Sequence, residues 1–74
     1  MYLWDGFKER EYIVERLDLD TKSKNLFLRM HIKKGCVIKI IRKHAFYPSI
    51  IEVDQMRIAL DSKLLKRIWV IPYV

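Results

Sequence analysis

The sequence predicts a mainly β fold, a small five-stranded barrel with one short helix and one helical turn. Short runs rich in Ile, Val and aromatic residues recur along the chain between polar or proline-bearing breaks, which is the signature of short strands. Just one stretch carries helical spacing. At 74 residues there is room for a single core, so residues 1–74 read as one domain. Folding at this size buries roughly 60% of the unfolded surface, so a partner would add to a marginal stability.

The first strand is Glu11-Tyr12-Ile13-Val14-Glu15-Arg16-Leu17, closed by the polar residues 18–23. A short amphipathic helix follows over residues 24–30. Leu26, Phe27 and Met30 form its apolar side, Lys22, Lys24, Asn25 and Arg29 lie opposite, and the Ser23 hydroxyl is placed to cap the first turn. His31-Ile32-Lys33-Lys34-Gly35 ends it, with Gly35 free to take positive φ and Ile32 placed to pin the turn to the core.

Residues 36–43 give the strongest strand pattern. Cys36, Ile38 and Ile40 share one face, and Val37, Lys39, Ile41 and Lys43 the other, as suits a curved strand with two partly apolar sides. His44-Ala45-Phe46-Tyr47-Pro48 connects onward, and Pro48 stops the ladder because it lacks an N–H. Ser49-Ile50-Ile51-Glu52-Val53 and Met56-Arg57-Ile58-Ala59-Leu60 pair across a two-residue loop, Asp54-Gln55, in which Gln takes the place that favours Gly. Asp61-Ser62 caps a helical turn through Leu64-Leu65, and Arg67-Ile68-Trp69-Val70-Ile71 is a last strand halted by Pro72. Trp4 and Trp69 read as core at the two ends of the chain. Closing such strands into an SH3-like or OB-like barrel would remove exposed edges.

Charge is distributed unevenly behind the net +6. Through Asp20, three basic residues face six acidic ones, whereas residues 21–48 hold eight basic residues and no acidic one. Such a block is either a solvated face or an electrostatic footprint for an acidic protein, a phosphate or a nucleic acid.

Several functional classes find no support. Gly6 and Gly35 are the only glycines, so neither a phosphate-cradling loop nor a dinucleotide fingerprint can be written. His31 and His44 have no Gly-x-Ser-x-Gly elbow to serve, so a non-enzymatic protein is expected. The single cysteine, Cys36, precludes an intramolecular disulfide and fits a reducing compartment, hence the cytoplasm. No apolar run reaches the ~20 residues of a membrane helix. The first residues lack a basic n-region, so the mature chain is expected to begin at Met1. His31, Cys36, His44, Glu52 and Asp54 are metal-ligand types without a ligand-pair spacing, and Cys36 reads as a small buried hydrophobe; His31 and His44 are the weak metal candidates.

Leu26-x-x-Arg29-Met30-His31-Ile32-x-x-Gly35, Val37-Ile38-Lys39-Ile40-Ile41-Arg42, Pro48-x-x-Ile51-Glu52-Val53 and Arg57-Ile58-Ala59-Leu60 together resemble the FeoA family of ferrous-iron transport accessory proteins. The resemblance extends over residues 12–70, and over residues 48–60 it runs without a gap. The family's helix-ending Gly is His31 here, its Pro is Lys33, its hairpin Gly is Gln55, its Gly-Asp-Pro loop falls near Phe46-Tyr47-Pro48, and its final Arg is Asp61. The SH3-like domain at the end of metal-responsive repressors is similar. What the resemblance implies is an SH3-like barrel in the cytoplasm that docks on the GTPase-bearing ferrous-iron permease FeoB, with a loose link to a divalent transition metal and with membrane contact only through the permease. On that reading Lys24, Arg29, Lys33, Lys34, Arg42 and Lys43 form the partner-binding face. The alternatives are a basic barrel binding nucleic acid through Lys33, Lys34, Lys39, Arg42 and Lys43 with Phe46-Tyr47 stacking, or the SH3-like domain of a metal-responsive regulator, and a homodimer through strand pairing is a further option.

Overall fold

A computed structural model describes all of residues 1–74. Five antiparallel strands, β1 (Glu11–Leu17), β2 (Val37–Arg42), β3 (Ser49–Val53), β4 (Met56–Leu60) and β5 (Ile68–Pro72), form one sheet in the order β4-β3-β2-β1-β5. One helix, α1 (Thr21–Arg29), joins β1 to β2, and 3-10 turns lie at Leu3–Asp5 and Ser62–Arg67. No helix is long and apolar enough to cross a membrane.

The alternation along each strand decides which face turns inward. Tyr12 and Val14 of β1, Ile38 and Ile40 of β2, Ile51 and Val53 of β3, and Ile68 and Val70 of β5 are all buried, joined by Leu3, Phe27, Ile32, Leu60 and Leu65. Register shifts between Val14 and Arg16 on β1 and between Ile40 and Arg42 on β2 insert an extra residue in each strand. Such bulges raise local twist and curl the sheet around its core. The curl brings no ladder between β4 and β5, so β4 keeps one unpaired edge where full closure would have left none. At the opposite end β5 is covered: Tyr2 bridges Trp69, and the Val70 N–H donates to the Met1 carbonyl at 2.8 Å.

Local structure departs from the sequence expectations at identifiable points. α1 begins at Thr21 rather than Lys24, and its cap is Asp20, whose carboxylate accepts the Ser23 N–H at 2.8 Å; Ser23 lies inside the first turn. Phe27 is the helix's buried residue, Met30 packs partly on the core, and Leu26 turns out to solvent. The helix ends in a full Schellman motif. His31 donates to the Leu28 carbonyl at 3.0 Å, Ile32 donates to that of Phe27 at 2.9 Å, and His31 itself is left-handed at φ 64°. Asp54 and Gln55 are also left-handed, at φ 51° and 64°, as a two-residue hairpin of primed type requires. The backbone thus keeps positive φ at both His31 and Gln55, where the resembling pattern carries glycine.

Asp61 caps the second 3-10 turn through the Lys63 N–H at 2.9 Å, whereas Ser62 is buried and bonded to the β2–β3 connection. β5 starts one residue later than expected and includes Pro72, because the Tyr73 N–H donates to Glu11 O at 3.1 Å and carries the pairing past the proline. Trp4 and Trp69 are half-buried rather than core. Trp69 stacks edge-on with Tyr2 and donates its Nε1–H to Glu15 at 3.1 Å.

Candidate docking surface

α1 is short and has to spend its apolar residues economically. Phe27 enters the core and Ile32, just beyond the Schellman turn, follows it, yet Leu26 and Leu28 stay 50% and 55% exposed. Holding a leucine half in water gains little for the fold. Leu28 instead lines an open groove of about 400 Å³ between α1 and the end of β1, with Leu17 and Ile32 as its other apolar walls.

The rim of this groove is cationic. Lys24 on α1 and Lys33 and Lys34 after it line the groove beside Arg16 and a single carboxylate, Glu15. Arg16 is already engaged, donating to Asp18 from Nε at 2.6 Å. This contact, with a bond from the Tyr2 hydroxyl, holds the Asp18 carboxyl below its usual range. The other ion pairs join Lys39 and Arg57 to Glu52 and His31 to Asp54, which leaves Lys24, Lys33 and Lys34 without a carboxylate partner. An apolar slot bordered by three uncommitted ammoniums is complementary to a segment bearing an aliphatic or aromatic anchor flanked by carboxylates.

Lys24, Lys33 and Lys34 are thus brought together, but the other residues expected on this face are not. Arg29 is exposed on α1 outside the groove lining. Arg42 and Lys43 follow at the far end of β2, and the Lys43 ammonium is tied to the Trp4 and Gly6 carbonyls. A continuous nucleic-acid stripe is also broken up: Lys39 sits 3.7 Å from Glu52, and the whole of β2 separates Lys33 and Lys34 from Phe46 and Tyr47. Leu17, Leu28 and Arg16 were not legible as site residues. The one sequence signal was Leu28 itself, an aliphatic residue outside the apolar side of the helix.

The two histidines do not meet. His31 precedes β2 and His44 follows it, and six strand residues span roughly 20 Å. His31 Nδ1 lies 3.4 Å from Asp54 Oδ2, and Cys36 lines the same depression, but no group of three His, Cys, Asp or Glu side chains is gathered to hold an ion. Burial pushes the Cys36 thiol up, as for a thiol packed against the core rather than a metal ligand.

Residues 7–72 match the model of the FeoA domain. The chain belongs to the FeoA family. No curated protein sequence matches it. Among solved structures, an iron uptake regulatory protein (FeoA) superposes with a TM-score of 0.86 at 23% identity, over 95% of this chain and 93% of that one. FeoA from Stenotrophomonas maltophilia, solved in complex with zinc and named as an SH3 domain protein and a candidate activating factor of bacterial ferrous iron transport, superposes with a TM-score of 0.72 at 25% identity, over 95% and 88% of the two chains. ScaR with bound Zn2+ shares the fold at a TM-score of 0.84 and 20% identity, this chain spanning 37% of its length. The FeoA architecture is therefore the SH3-like fold expected from the sequence, and the family links the chain to ferrous iron transport.

Proposed function

We propose that this FeoA-family chain is a non-enzymatic cytoplasmic adaptor of ferrous iron transport, acting as one barrel domain over residues 1–74 and docking on the cytoplasmic, GTPase-bearing part of the FeoB permease. The observation that carries the reading is the α1–β1 groove, in which Leu28 stands exposed beside Lys24, Lys33 and Lys34. The description of the Stenotrophomonas maltophilia protein as a candidate transport activator supports the same role. The groove receives an acidic segment of the permease. Apolar contact gives the hold, and the lysines give orientation and a faster encounter. A divalent transition metal is not required for this contact; His31 and Asp54 offer two donors on a neighbouring surface.

A pull-down against the cytoplasmic part of the cognate permease tests this. The double variant Lys33→Glu, Lys34→Glu reverses the rim charge on exposed residues, so the fold is kept while capture is lost. Undiminished capture by that variant rejects the groove as the docking face.

A further inference from the structure

The connection between β2 and β3 places Phe46 and Tyr47 in solvent, 94% and 72% exposed. Apart from the C-terminal Val74, no large apolar side chain of the chain is as exposed as Phe46. This tip is built rather than loose. The His44 N–H donates to Ser49 Oγ at 3.1 Å; the Ser49 hydroxyl is then left to donate to Ser62 Oγ at 2.7 Å. The single Ser62 hydroxyl proton is in turn shared between the carbonyls of His44 and Tyr47, the latter at 2.9 Å. The circuit leaves His44 through its N–H, returns to it at its C=O, and runs through two buried hydroxyls. A chain that invests buried polar groups in holding a loop, and then presents Phe46 from it, has a use for that aromatic ring.

The surroundings state the chemistry of the contact. Lys63 and Lys66 are exposed and, with Trp4, line the same hollow as Phe46 and Tyr47. The Trp4 indole has the ammoniums of Lys43 and Lys66 at 5.1 and 5.2 Å from its centre. The one carboxylate in the hollow, Asp61, is occupied by the Lys63 N–H at 2.9 Å. We propose that this tip is a direct, reversible contact for an anionic lipid surface, with Phe46 entering the headgroup layer, Tyr47 at its polar boundary, and Lys63 and Lys66 on the lipid phosphates. Aromatic rings settle at the interfacial level of a bilayer, and each lysine near an anionic leaflet is drawn to it. Lipid is favoured over nucleic acid because stacking of successive bases needs a track of aromatics along a basic groove, whereas Lys39 and Lys43, on the way from the turn to Phe46 and Tyr47, are engaged by Glu52 and by the Trp4 and Gly6 carbonyls. One aromatic wedge and two lysines make a weak anchor, suited to orienting a protein that a second contact also holds. The tip leaves β2 at the end opposite the α1 groove, so lipid and protein partner occupy separate surfaces and neither reading depends on the other.

The test is co-sedimentation of the full chain with vesicles of phosphatidylglycerol mixed into phosphatidylcholine, against vesicles of phosphatidylcholine alone. Trp4 emission is read in a Trp69→Phe background. The expected result is partitioning to the anionic vesicles, a blue shift of Trp4, weakening with salt, about a tenfold loss for Phe46→Ser and loss of binding for Lys63→Glu, Lys66→Glu. Equal partitioning to both vesicle types, full partitioning by Phe46→Ser, or binding to single-stranded DNA at the same salt that exceeds lipid binding would each overturn the proposal.

Discussion

Replacing His31 tests how α1 is stopped. His31 occupies the left-handed position of the Schellman motif at φ 64°, and Ile32 immediately after it is fully buried. A side chain with a Cβ held left-handed costs about 1–2 kcal/mol, and glycine gives back about 0.5–1 kcal/mol through the greater freedom of its unfolded chain. His31→Gly and His31→Ala both delete the exposed contact to Asp54 at 3.4 Å, so that loss cancels between them. Their difference therefore isolates the backbone, with Gly the more stable by about 1 kcal/mol, or roughly 4–8 °C in Tm for a chain of this size. Urea and thermal unfolding of the two variants, followed by far-UV circular dichroism, give the comparison. An alanine variant as stable as the glycine one would refute the left-handed stop at His31.

Two further outcomes bear on the loop circuit and the helix cap. Ser62→Ala leaves the carbonyls of His44 and Tyr47 without their buried donor and should cost about 1–3 kcal/mol in urea unfolding, with the largest rise in amide exchange in residues 44–49. The Asp20 carboxyl is held low by the Ser23 N–H, and that of Asp18 by Arg16 and Tyr2. Both carboxylates contribute fully above the ordinary aspartate range near about 3.9, and lose that contribution as pH falls through their lowered values. An acid titration should therefore melt the start of α1 in that range, and Asp20→Asn, which keeps a capping oxygen without the charge, should flatten its pH dependence.

How far the sequence could be read depended on whether local or distant residues decide the outcome. β1 is found over the residues its aromatic and β-branched run marks, and the inward set Ile38, Ile40, Ile51 and Val53 follows from strict alternation. Asp20 was missed as the cap because Asp20 and Ser23 are both good caps in sequence, and the choice falls to whichever leaves Phe27 and Ile32 facing the core. Gln55 adopts positive φ against its own preference because the β3–β4 register, with Ile51 opposite Ile58 and Val53 opposite Met56, admits no longer loop. The lysines of the groove were legible as a basic block. Their division into a rim around Leu28 and a separate group at the far end of β2 was not, since it depends on where the sheet puts the two ends of one strand.

The docking reading rests most heavily on Leu28, which the fold leaves 55% exposed between Lys24 and the Lys33-Lys34 pair. Its direct measurement is calorimetric titration of the cytoplasmic part of the cognate permease with the wild-type chain and with Leu28→Ser. A Leu28 side chain buried at the contact predicts about a tenfold weaker Kd for the variant, with its folded far-UV circular dichroism spectrum kept. Equal Kd values for the two proteins would contradict docking through the α1–β1 groove.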